Sequence, residues 1–557
     1  IIDETCAVLA HAISGTGTAI ANRRPAVLET LAAVLRDAAQ VIAADAQLSA
    51  PVLEALETIT GRPALLIASE HRPAAGRRLI VHPTRHSWRA ELEAQLQARQ
   101  RLWIATTARE AENGAENLGL LIPRHWPDAR VLVVDAKTVA DEDHDAHRLA
   151  ADPNGVAGRY DVVVASPAVA AGLSIDKLPG HFAAVMVAAG GTTDPDAVAQ
   201  AAARVRDACP RHLYAPERSP GDQLRTGSGD TDPATLLRHL GNHEAHAVAQ
   251  LVAAGADLER DTVGPWLRLW ARLGAHGNRQ RLAYRATVRG LLEREGYDAT
   301  DAAELAAAGL AAAAAAAEAL SAIASEAQAT ADAATIAAEP LTAPEAAALA
   351  RKRKRSPAEQ AQLARYRVAV AWGLGADPPT PAILEADREQ LSRRLRFGWA
   401  LQSLEARQLV AQHDQTVATA SAYNRRPWAP DLCRETIGPK ITAADALGLP
   451  AWLARVEGGE WFSAADPQLL QLQALATTHA AMVRQVLGVS PGRRAITTLR
   501  GLLALAGHRL EAHRCRVDGE RAWRYRVMAE ALPDGVDPPR LEAAWREQLR
   551  RPSLEVG

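Results

Sequence analysis

The length, composition and charge of the chain describe a large globular protein. Its 557 residues suffice for about three or four domains, which excludes a peptide hormone or a small disulfide-stapled scaffold. The 63 Lys+Arg and 65 Asp+Glu nearly cancel, and 48% hydrophobic with 23% charged residues is an ordinary globular composition. A globally disordered protein is therefore excluded.

Cysteine usage and hydropathy indicate the compartment. Cys6, Cys209, Cys433 and Cys515 lie far apart and form no Cys-x-x-Cys pair, which supports neither a disulfide framework nor a zinc knuckle. Apart from alanine runs, no stretch of about 20 apolar residues is free of charge, and the N-terminus has no basic segment before an apolar one. We expect a cytoplasmic protein without a membrane span.

The first residues carry the first candidate motif. Ile1-Ile2-Asp3-Glu4 precedes an apolar, helix-like run from Cys6 to Ile13. P-loop NTPases place such an Asp-Glu pair at a strand end, where Asp helps hold Mg²⁺ and Glu polarises the attacking water. The alternative is a chance acidic pair. The start on Ile1 predicts a chain that begins inside a domain.

Alternating strand and helix patterns follow, and they predict parallel βαβ units. Val41–Ala44 is predicted as a short buried strand that ends in the polar segment Asp45–Ser49. Helices are predicted at Trp88–Gln97 and Thr107–Leu118. The further predicted strands are Leu65–Ala68, Arg78–Val81, Leu102–Thr106, Val131–Asp135, Val162–Ala165, Ala183–Val187 and His212–Tyr214.

A loop and a helix in this region carry the sharpest signals. Ser166–Ile175 leaves a strand and turns on Gly172, so its hydroxyls and amides could contact phosphates, or it could be a plain connection. In Gln200–Arg206, the side chains of Gln200 and Arg204 share a helix face, and an arginine here can stabilise γ-phosphate charge. Alternatively, the arginines solvate a helix end or pair with Asp207.

In this order, the motifs resemble those of superfamily 2 helicases. The resemblance rests on Asp3-Glu4, on Asp45–Ser49, on the Thr106-Thr107 strand end, and on the Ser166–Ile175 and Gln200–Arg206 boxes. More narrowly, the set is similar to the plasmid replication proteins of the cyanobacterial RepA-like family, relatives in motif style of the herpesvirus origin-binding helicases. The motif match covers about residues 1 to 215.

The resemblance implies an ATP-driven replication protein with ATP and Mg²⁺ as cofactors, acting at a plasmid or phage-like origin. It implies that Asp3 is a Mg²⁺ ligand and Glu4 the water-orienting base. It also implies that Gly172 and Ser174 link nucleotide to DNA, and that Gln200, Arg204 and Arg206 sense the γ-phosphate. The roles that it assigns concern Asp3, Glu4, Gly172, Ser174, Gln200, Arg204 and Arg206.

The sequence departs from the helicase pattern in three places. Ser174 stands where Asp is usual, and Asp207 stands three residues after Arg204, where a second arginine is usual. No Gly-Lys-Ser or Gly-Lys-Thr occurs, although a phosphate-cradling loop needs that lysine. We therefore expect the C-terminal portion of a longer protein, inactive as an ATPase alone.

The fold class expected is α/β followed by mainly α: RecA-like lobes, helical regions and a C-terminal winged-helix-like module. Gly221–Pro233 reads as a linker, and the alanine-rich segment predicts long helices, as an exposed stalk or a coiled hairpin. One set of residues has helix-face spacing and is interpreted as core, with base-stacking platforms as the alternative: Trp266, Trp270, Leu273, Tyr284, Val288 and Leu291. The expected units are 1–72 (first lobe), 73–218 (second lobe), 219–300 (helical), 301–350 (alanine-rich), 351–485 (basic helical) and 486–557 (winged-helix-like).

Charge is unevenly distributed. Residues 351–557 have a net charge of +9 and residues 1–350 of −11, so the C-terminal half is the better candidate for contact with a polyanion. The basic block comprises Arg351, Lys352, Arg353, Lys354 and Arg355. It is interpreted either as a DNA contact or as a solvated helix start.

The C-terminal unit has a more definite shape. A helix over Ile496–Ala506 precedes strands Arg509–Val517 and Arg521–Val527, joined by the turn dipeptide Asp518-Gly519. A helix can enter a major groove while a basic wing grips the backbone. The expected DNA contacts are Arg493, Arg494, Arg500, Arg514, Arg516 and Arg524. The alternative is a module for contacts with proteins, such as other replisome components.

Two other function classes are alternatives to a helicase-type motor. A non-catalytic DNA-binding or replisome scaffold would explain degenerate motifs and a missing phosphate-binding loop. A metabolic α/β enzyme has little support, because His82, His86, His144 and His147 have no convincing metal spacing and no Gly-x-Ser-x-Gly elbow occurs.

Overall fold

A computed structural model describes most of the chain. The residues it describes are 1–557 except 17–19, 108–113, 167–172, 221–224, 254–256, 259–263, 304–306, 353–354, 424–425, 518–519 and 551–557. Gly172, Arg353, Lys354 and the Asp518-Gly519 turn thus lie outside the described residues.

A seven-stranded parallel sheet organises the first half of the chain, in the order β3-β4-β2-β5-β6-β1-β7. Its central strands are buried on both faces, as expected for Val- and Ile-rich strands of a parallel sheet. This confirms the α/β expectation and six of the predicted strands. The strands are β1 (Arg78–His82), β2 (Leu102–Thr106), β3 (Val131–Val134), β4 (Val162–Ala165), β5 (Ala184–Ala188), β6 (Arg211–Tyr214) and β7 (Asp298–Asp301).

Two strand predictions were wrong, and one strand of the sheet was missed. Leu65–Ala68 is not a strand, and Leu65 and Ile67 are each 87% exposed. Val41–Ala44 is not buried; it forms a single parallel bridge, Ile2 to Ala43. β7 was missed because its sequence, Asp-Ala-Thr-Asp, has no apolar alternation, and it occupies an edge where only β1 pairs with it.

Helices cover both faces of the sheet. The helices of this half of the chain are α1 (Thr5–Ser14), α2 (Arg24–Asp37), α3 (Ala50–Thr60), α4 (Arg85–Gln97), α5 (Ala115–His125), α6 (Ala136–Ala140), α7 (Asp145–Arg148), α8 (Pro153–Ala157), α9 (Pro195–Ala203), α10 (Pro233–Ala253), α11 (Pro265–Leu282), α12 (Tyr284–Glu295) and α13 (Ala307–Ala337), of which seven pack on the sheet. One face packs against α4, α5 and α13, and the other against α7, α8, α9 and α12. The predicted helix Thr107–Leu118 is present in part as α5, which begins at Ala115, and residues 108–113 of that prediction lie outside the described residues.

The alanine-rich segment is not an exposed stalk. α13 is one long helix that packs on α4 and α5, and its Leu320 and Ile323 are buried beside Trp88. Alanine suits this position because its short side chain lets helices approach closely. The core assignment of Trp266, Trp270, Tyr284, Val288 and Leu291 is confirmed, whereas Leu273 is only half-buried.

Residues 1–60 form a small unit that packs on helices from elsewhere in the chain. α1, α2 and α3 share a hydrophobic core with α10, α11 and a short helix, Ala429–Glu435. Arg24 makes a buried ion pair with Asp431, Nε to Oδ2 at 2.7 Å, and donates to the carbonyl of Ala12 at 2.6 Å. The end of α1 is thereby fixed to a segment 400 residues later.

The C-terminal half is mainly helical. Its helices are α14 (Ala343–Arg351), α15 (Pro357–Trp372), α16 (Pro381–Arg388), α17 (Leu391–Gln402), α18 (Leu404–Ser421), α19 (Ala429–Glu435), α20 (Gly438–Ala446), α21 (Leu449–Gly458), α22 (Pro467–Thr478), α23 (Ala480–Leu487), α24 (Ala495–Leu505) and α25 (Pro538–Arg550). Its strands are β8 (Ala422–Tyr423), β9 (Arg426–Pro427), β10 (Phe462–Ser463), β11 (His508–Val517) and β12 (Glu520–Ala529). Among the described helices, none has the length and apolarity that crossing a membrane requires.

The predicted helix and hairpin near the C-terminus are present. α24 packs against β11, and β11 pairs antiparallel with β12 along ten residue pairs. A strand that the sequence pattern did not reveal, β10, pairs with the other side of β12, which gives the order β10-β12-β11. β10 was missed because it has only two residues.

Candidate functional site

A cleft lies at the carboxyl edge of the parallel sheet, where β2, β4 and β5 end. Ligands of open α/β sheets bind beyond the carboxyl ends of the strands. The polar residues that line the cleft are Thr106, Thr107, Ser166, Thr193, Gln200 and Arg204. Its volume of about 80 Å³ is well below the roughly 300–1,000 Å³ of a site that encloses a drug-sized ligand. The cleft is therefore one wall of a larger site at most.

α9 brings Gln200 and Arg204 to the cleft on one helix face. Arg204 follows the last helical residue but keeps helical dihedrals, φ −60° and ψ −39°, so the i, i+4 relation with Gln200 holds. The loop before α9 is anchored from α11 and α12. Tyr284 donates its hydroxyl to the carbonyl of Thr193 at 2.6 Å, and Arg281 pairs with Asp194 at 3.1 Å.

Thr107 joins two strand ends beneath the cleft. Its hydroxyl oxygen accepts the Gly190 amide at 2.7 Å, and its own amide donates to the Ala188 carbonyl at 3.2 Å. The end of β2 is thus tied to the end of β5. The predicted Thr106-Thr107 strand end is a structural clamp as well as part of the lining.

The negative charge of Glu4, in the N-terminal unit, acts on the Arg204 guanidinium. Burial lowers the pKa of the Arg204 guanidinium, and the negative charge of Glu4 opposes that shift. Glu4 adopts a left-handed backbone conformation, φ 50° and ψ 48°, which costs a non-glycine residue on the order of 1 kcal/mol. Such strained residues cluster at functional sites. Asp3, which is exposed, accepts the amide of Glu4 at 3.1 Å.

The Asp45–Ser49 segment contacts the Asp-Glu pair through the start of α1. The Asp45 carboxylate accepts the Cys6 amide at 2.7 Å and the Gln47 amide at 2.7 Å. Two boxes separated by about 40 residues in the sequence therefore meet. Asp45 thus fixes the first turn of α1, the helix that Glu4 directly precedes.

The Ser166–Ile175 and Gln200–Arg206 boxes also meet. Ile175 and Val205 form a parallel bridge, and Arg206 Nε donates to the Ser174 hydroxyl at 3.3 Å. Arg206 is exposed and is not among the residues that line the cleft. The geometry thus separates Arg204, which faces the cleft, from Arg206, which holds Ser174.

Sequence reasoning missed the residue that fixes this arginine turn. Arg211, fully buried at the start of β6, donates to the carbonyl oxygens of Val205, Asp207 and Cys209. It lies in the Pro-Arg-His segment just after the arginine box. The buried arginine holds the backbone of the turn that precedes β6. In the sequence, only its position at the start of a predicted strand could have indicated this role.

Of the three described residues of the basic block at the end of α14, two are engaged in local structure. Lys352 pairs with Glu359 at 2.6 Å. Arg355 donates to the carbonyl of Ala350, at the end of α14, at 3.0 Å. Arg351 is exposed. These contacts favour the helix-end interpretation for Lys352 and Arg355.

The arginines of the hairpin region are mostly exposed. Arg493, Arg494 and Arg500 lie on the surface at and within the start of α24, and Arg514 and Arg516 are exposed on β11. Arg524, on β12, is half-buried. The structure therefore presents five of these six predicted DNA contacts to solvent.

A buried histidine pair lies at the other end of the same sheet edge. His82 Nε2 is 3.2 Å from His212 Nδ1, and His82 Nδ1 is 2.8 Å from the Ser87 hydroxyl. Burial and the neighbouring His212 lower the pKa of His82 to about 4. Within the described part of the chain, no three His, Cys, Asp or Glu side chains are grouped to hold a metal ion.

Comparisons with known proteins add one relative. No family model matches the chain, and no solved structure matches it. An uncharacterized protein of Picosynechococcus sp. (strain ATCC 27264 / PCC 7002 / PR-6) is 26% identical over 580 aligned positions. The alignment covers 100% of this chain and 55% of the relative, so the chain spans about half the length of the relative it matches.

Proposed function

We propose that the chain is the C-terminal part of an ATP-dependent, superfamily 2 helicase-type protein that initiates replication of plasmid or phage-like DNA. The observation that carries the proposal is the position of Gln200 and Arg204 on one face of α9, in the cleft at the carboxyl edge of the sheet, with the negative charge of Glu4 near enough to act on the Arg204 guanidinium. These residues come from boxes about 200 positions apart. Their convergence is what a nucleotide site between two RecA-like lobes requires.

The residues around the cleft fit half of such a site. Asp3 would contribute a carboxylate oxygen to Mg²⁺, Glu4 would orient water, and Gln200 and Arg204 would contact the phosphates. Bound ATP with Mg²⁺ supplies the phosphoanhydride bond that such a motor hydrolyses. The chain has no Gly-Lys-Ser or Gly-Lys-Thr, so the proposal requires a phosphate-binding loop outside these 557 residues.

The size of the cleft supports a two-sided site. With about 80 Å³, the sheet edge alone cannot enclose a nucleotide. Glu4, whose charge acts on Arg204, belongs to the N-terminal unit, and a first lobe is proposed to close the site from that unit. Arg206, held against Ser174, is proposed to position that loop and to act on the phosphate only indirectly.

Origin DNA is proposed to bind the C-terminal half. Support comes from the order of elements, α21, β10, α22 to α24 and the β11–β12 hairpin, with sheet order β10-β12-β11. That arrangement fits a winged-helix module. From Arg493 to Arg526, nine arginines face three acids, a net of +6 that suits phosphate contact.

The test is DNA-stimulated ATP hydrolysis by the chain expressed with the upstream coding sequence that the proposal requires. Glu4→Gln and Arg204→Ala should abolish turnover. The matched controls Glu29→Gln and Arg218→Ala, at exposed positions away from the cleft, should leave turnover unchanged. Salt-dependent DNA binding without any ATP hydrolysis would overturn the motor and support a replisome scaffold instead.

A further inference from the structure

One face of the β11–β12 hairpin carries an exposed tryptophan among arginines. Paired residues of antiparallel strands share a face, and so do residues two positions apart. The register pairs Arg514 with Trp523 and Arg516 with Arg521, so all four side chains lie on one face. We call these four residues the hairpin tip.

The same face is core-forming nearer the body of the protein. Leu510 pairs with Val527 and Ala512 with Tyr525, and Val527 is buried in the C-terminal core. Beyond Tyr525 the core ends, and Trp523 is 53% exposed. A large apolar ring at this place contributes little to the core that ends beneath it.

Among the side chains that the structure describes, none forms an ion pair with the three arginines of the hairpin tip. Arg516 lies directly opposite Arg521, a like-charge pair that destabilises a hairpin unless an anion binds there. The opposite face differs, because Arg526 pairs with Glu511 at 2.6 Å and lies over the Trp461 ring at 5.0 Å. The tip thus combines three cations with a free aromatic surface.

We infer that the hairpin tip binds single-stranded DNA, with Trp523 stacking on an unpaired base while Arg514, Arg516 and Arg521 contact phosphates. Single-strand sites combine aromatic platforms with positive charge in this way. Duplex DNA is a poorer ligand, because neighbouring base pairs cover the base faces that an indole needs. The inference rests on the DNA-binding part of the proposed function and does not require the motor.

The spacing of the arginines fits an extended strand. Arg514 and Arg516 are two residues apart on one strand, a rise of roughly 6.8 Å, which is comparable with the separation of successive phosphates in an extended nucleic acid. Trp523 lies across from Arg514. A base stacked on Trp523 would therefore belong to the same stretch of sugar-phosphate backbone that the arginines contact.

The test measures fluorescence anisotropy of labelled oligothymidylate, of an abasic oligonucleotide of equal length and of a blunt duplex, using the full 557-residue chain. Trp523→Ala should weaken binding of oligothymidylate on the order of ten- to a hundred-fold. It should leave the abasic strand unchanged, because that strand has phosphates but no bases. Trp523→Phe should retain most of the affinity.

Two further variants separate stacking from charge. The triple change Arg514→Ala, Arg516→Ala and Arg521→Ala should weaken both single strands and reduce the salt slope by about 2, at roughly 0.7 per phosphate contact. Trp461→Ala, on the opposite face, is the matched control, and it should alter binding of neither single strand. Far-ultraviolet circular dichroism confirms that each variant is folded.

Several results would overturn the inference. They are an equal effect of Trp523→Ala on oligothymidylate and the abasic strand, no effect on either, reproduction of its effect by Trp461→Ala, or an equally strong, Trp523-dependent affinity for the duplex. If the protein never hydrolyses ATP but prefers oligothymidylate in a Trp523-dependent way, the proposed motor function is refuted and this inference is supported. ATP turnover with no role for Trp523 would do the reverse.

Discussion

The cleft and the hairpin tip present arginine in opposite ways. Arg204 is half-buried at a helix end, and the turn directly after it is fixed by Arg211, whose guanidinium donates to the backbone carbonyls of the turn. The arginines of the tip project from a two-stranded ribbon into solvent, with no ion pair to a described residue. A residue that must meet a phosphate at one angle needs the first environment. A residue that must follow a flexible polymer is better served by the second.

The largest effect is expected when the cleft arginine is removed in a form of the protein that hydrolyses ATP. Arg204→Ala should lower kcat on the order of 10³-fold, the effect expected when charge stabilisation at the γ-phosphate is lost. Arg206→Ala should change kcat less than about tenfold, because its side chain holds Ser174 outside the cleft. Steady-state kinetics measure both, and equal losses would refute the division of roles.

The second prediction concerns the buried clamp that holds the N-terminal unit. Arg24→Ala leaves Asp431 buried without its partner, which should cost about 3–5 kcal/mol. Hydrogen exchange should show α1 losing protection, while the β11–β12 hairpin keeps its own. Arg23→Ala, next to it and exposed, is the control and should have no effect. Protection of α1 that survives Arg24→Ala would contradict the clamp.

The third prediction is a pH dependence of the sheet. The folded pKa of His82, about 4, lies below the ordinary value of 6.5, so the unfolded chain binds more protons between these values. The contribution of His82 is therefore complete above pH 6.5 and is lost as pH falls toward 4, amounting to about 3 kcal/mol.

Exchange of the β1 and β6 amides across this pH range measures the effect. In His82→Gln the sheet should be less stable at neutral pH. Its free energy of unfolding should also fall less as the pH is lowered from 6.5 to 4. An unchanged acid response in this variant would place the titrating group elsewhere.

The weakest effect is expected for the salt dependence of DNA binding by the basic C-terminal half. Lys352→Ala with Arg355→Ala should leave the salt slope of duplex binding nearly unchanged, because both side chains are occupied by Glu359 and by the end of α14. Arg493→Ala with Arg494→Ala should reduce that slope by about 2, at roughly 0.9 per phosphate. Titrations of binding against salt measure both, and the reverse ranking would restore the basic block as the DNA contact.

Sequence patterns predicted local structure better than they predicted meetings between distant segments. The buried strands β2, β4 and β5 were found because runs of Val, Ile and Ala flanked by turns carry a strong signal. β7 and β10 are too short or too polar to be seen alone, since pairing with β1 and β12 is what makes them strands. Leu65–Ala68 has the composition of a strand but lacks a described partner.

The candidate site shows the same limit. The helix that brings Gln200 and Arg204 together could be predicted from their spacing, because it is a local property. The approach of Glu4, the bond from Arg206 to Ser174 and the role of Arg211 depend on tertiary packing. The imbalance at Arg516 and Arg521 required the register, and a one-residue slip would have placed Trp523 on the other face.

The placement of β1 has a consequence for how the protein folds. β1 lies between β6 and β7, so its partners are Arg211–Tyr214 and Asp298–Asp301, which leave the ribosome long after it. Loop-closure entropy must be overcome before such distant pairings form, and parallel sheets with this topology fold slowly. During synthesis, the apolar side chains of Leu79 and Val81 remain uncovered until residue 301 has been made. A chaperone that shields this strand would therefore act on the nascent chain, before the carboxyl edge of the complete sheet exists.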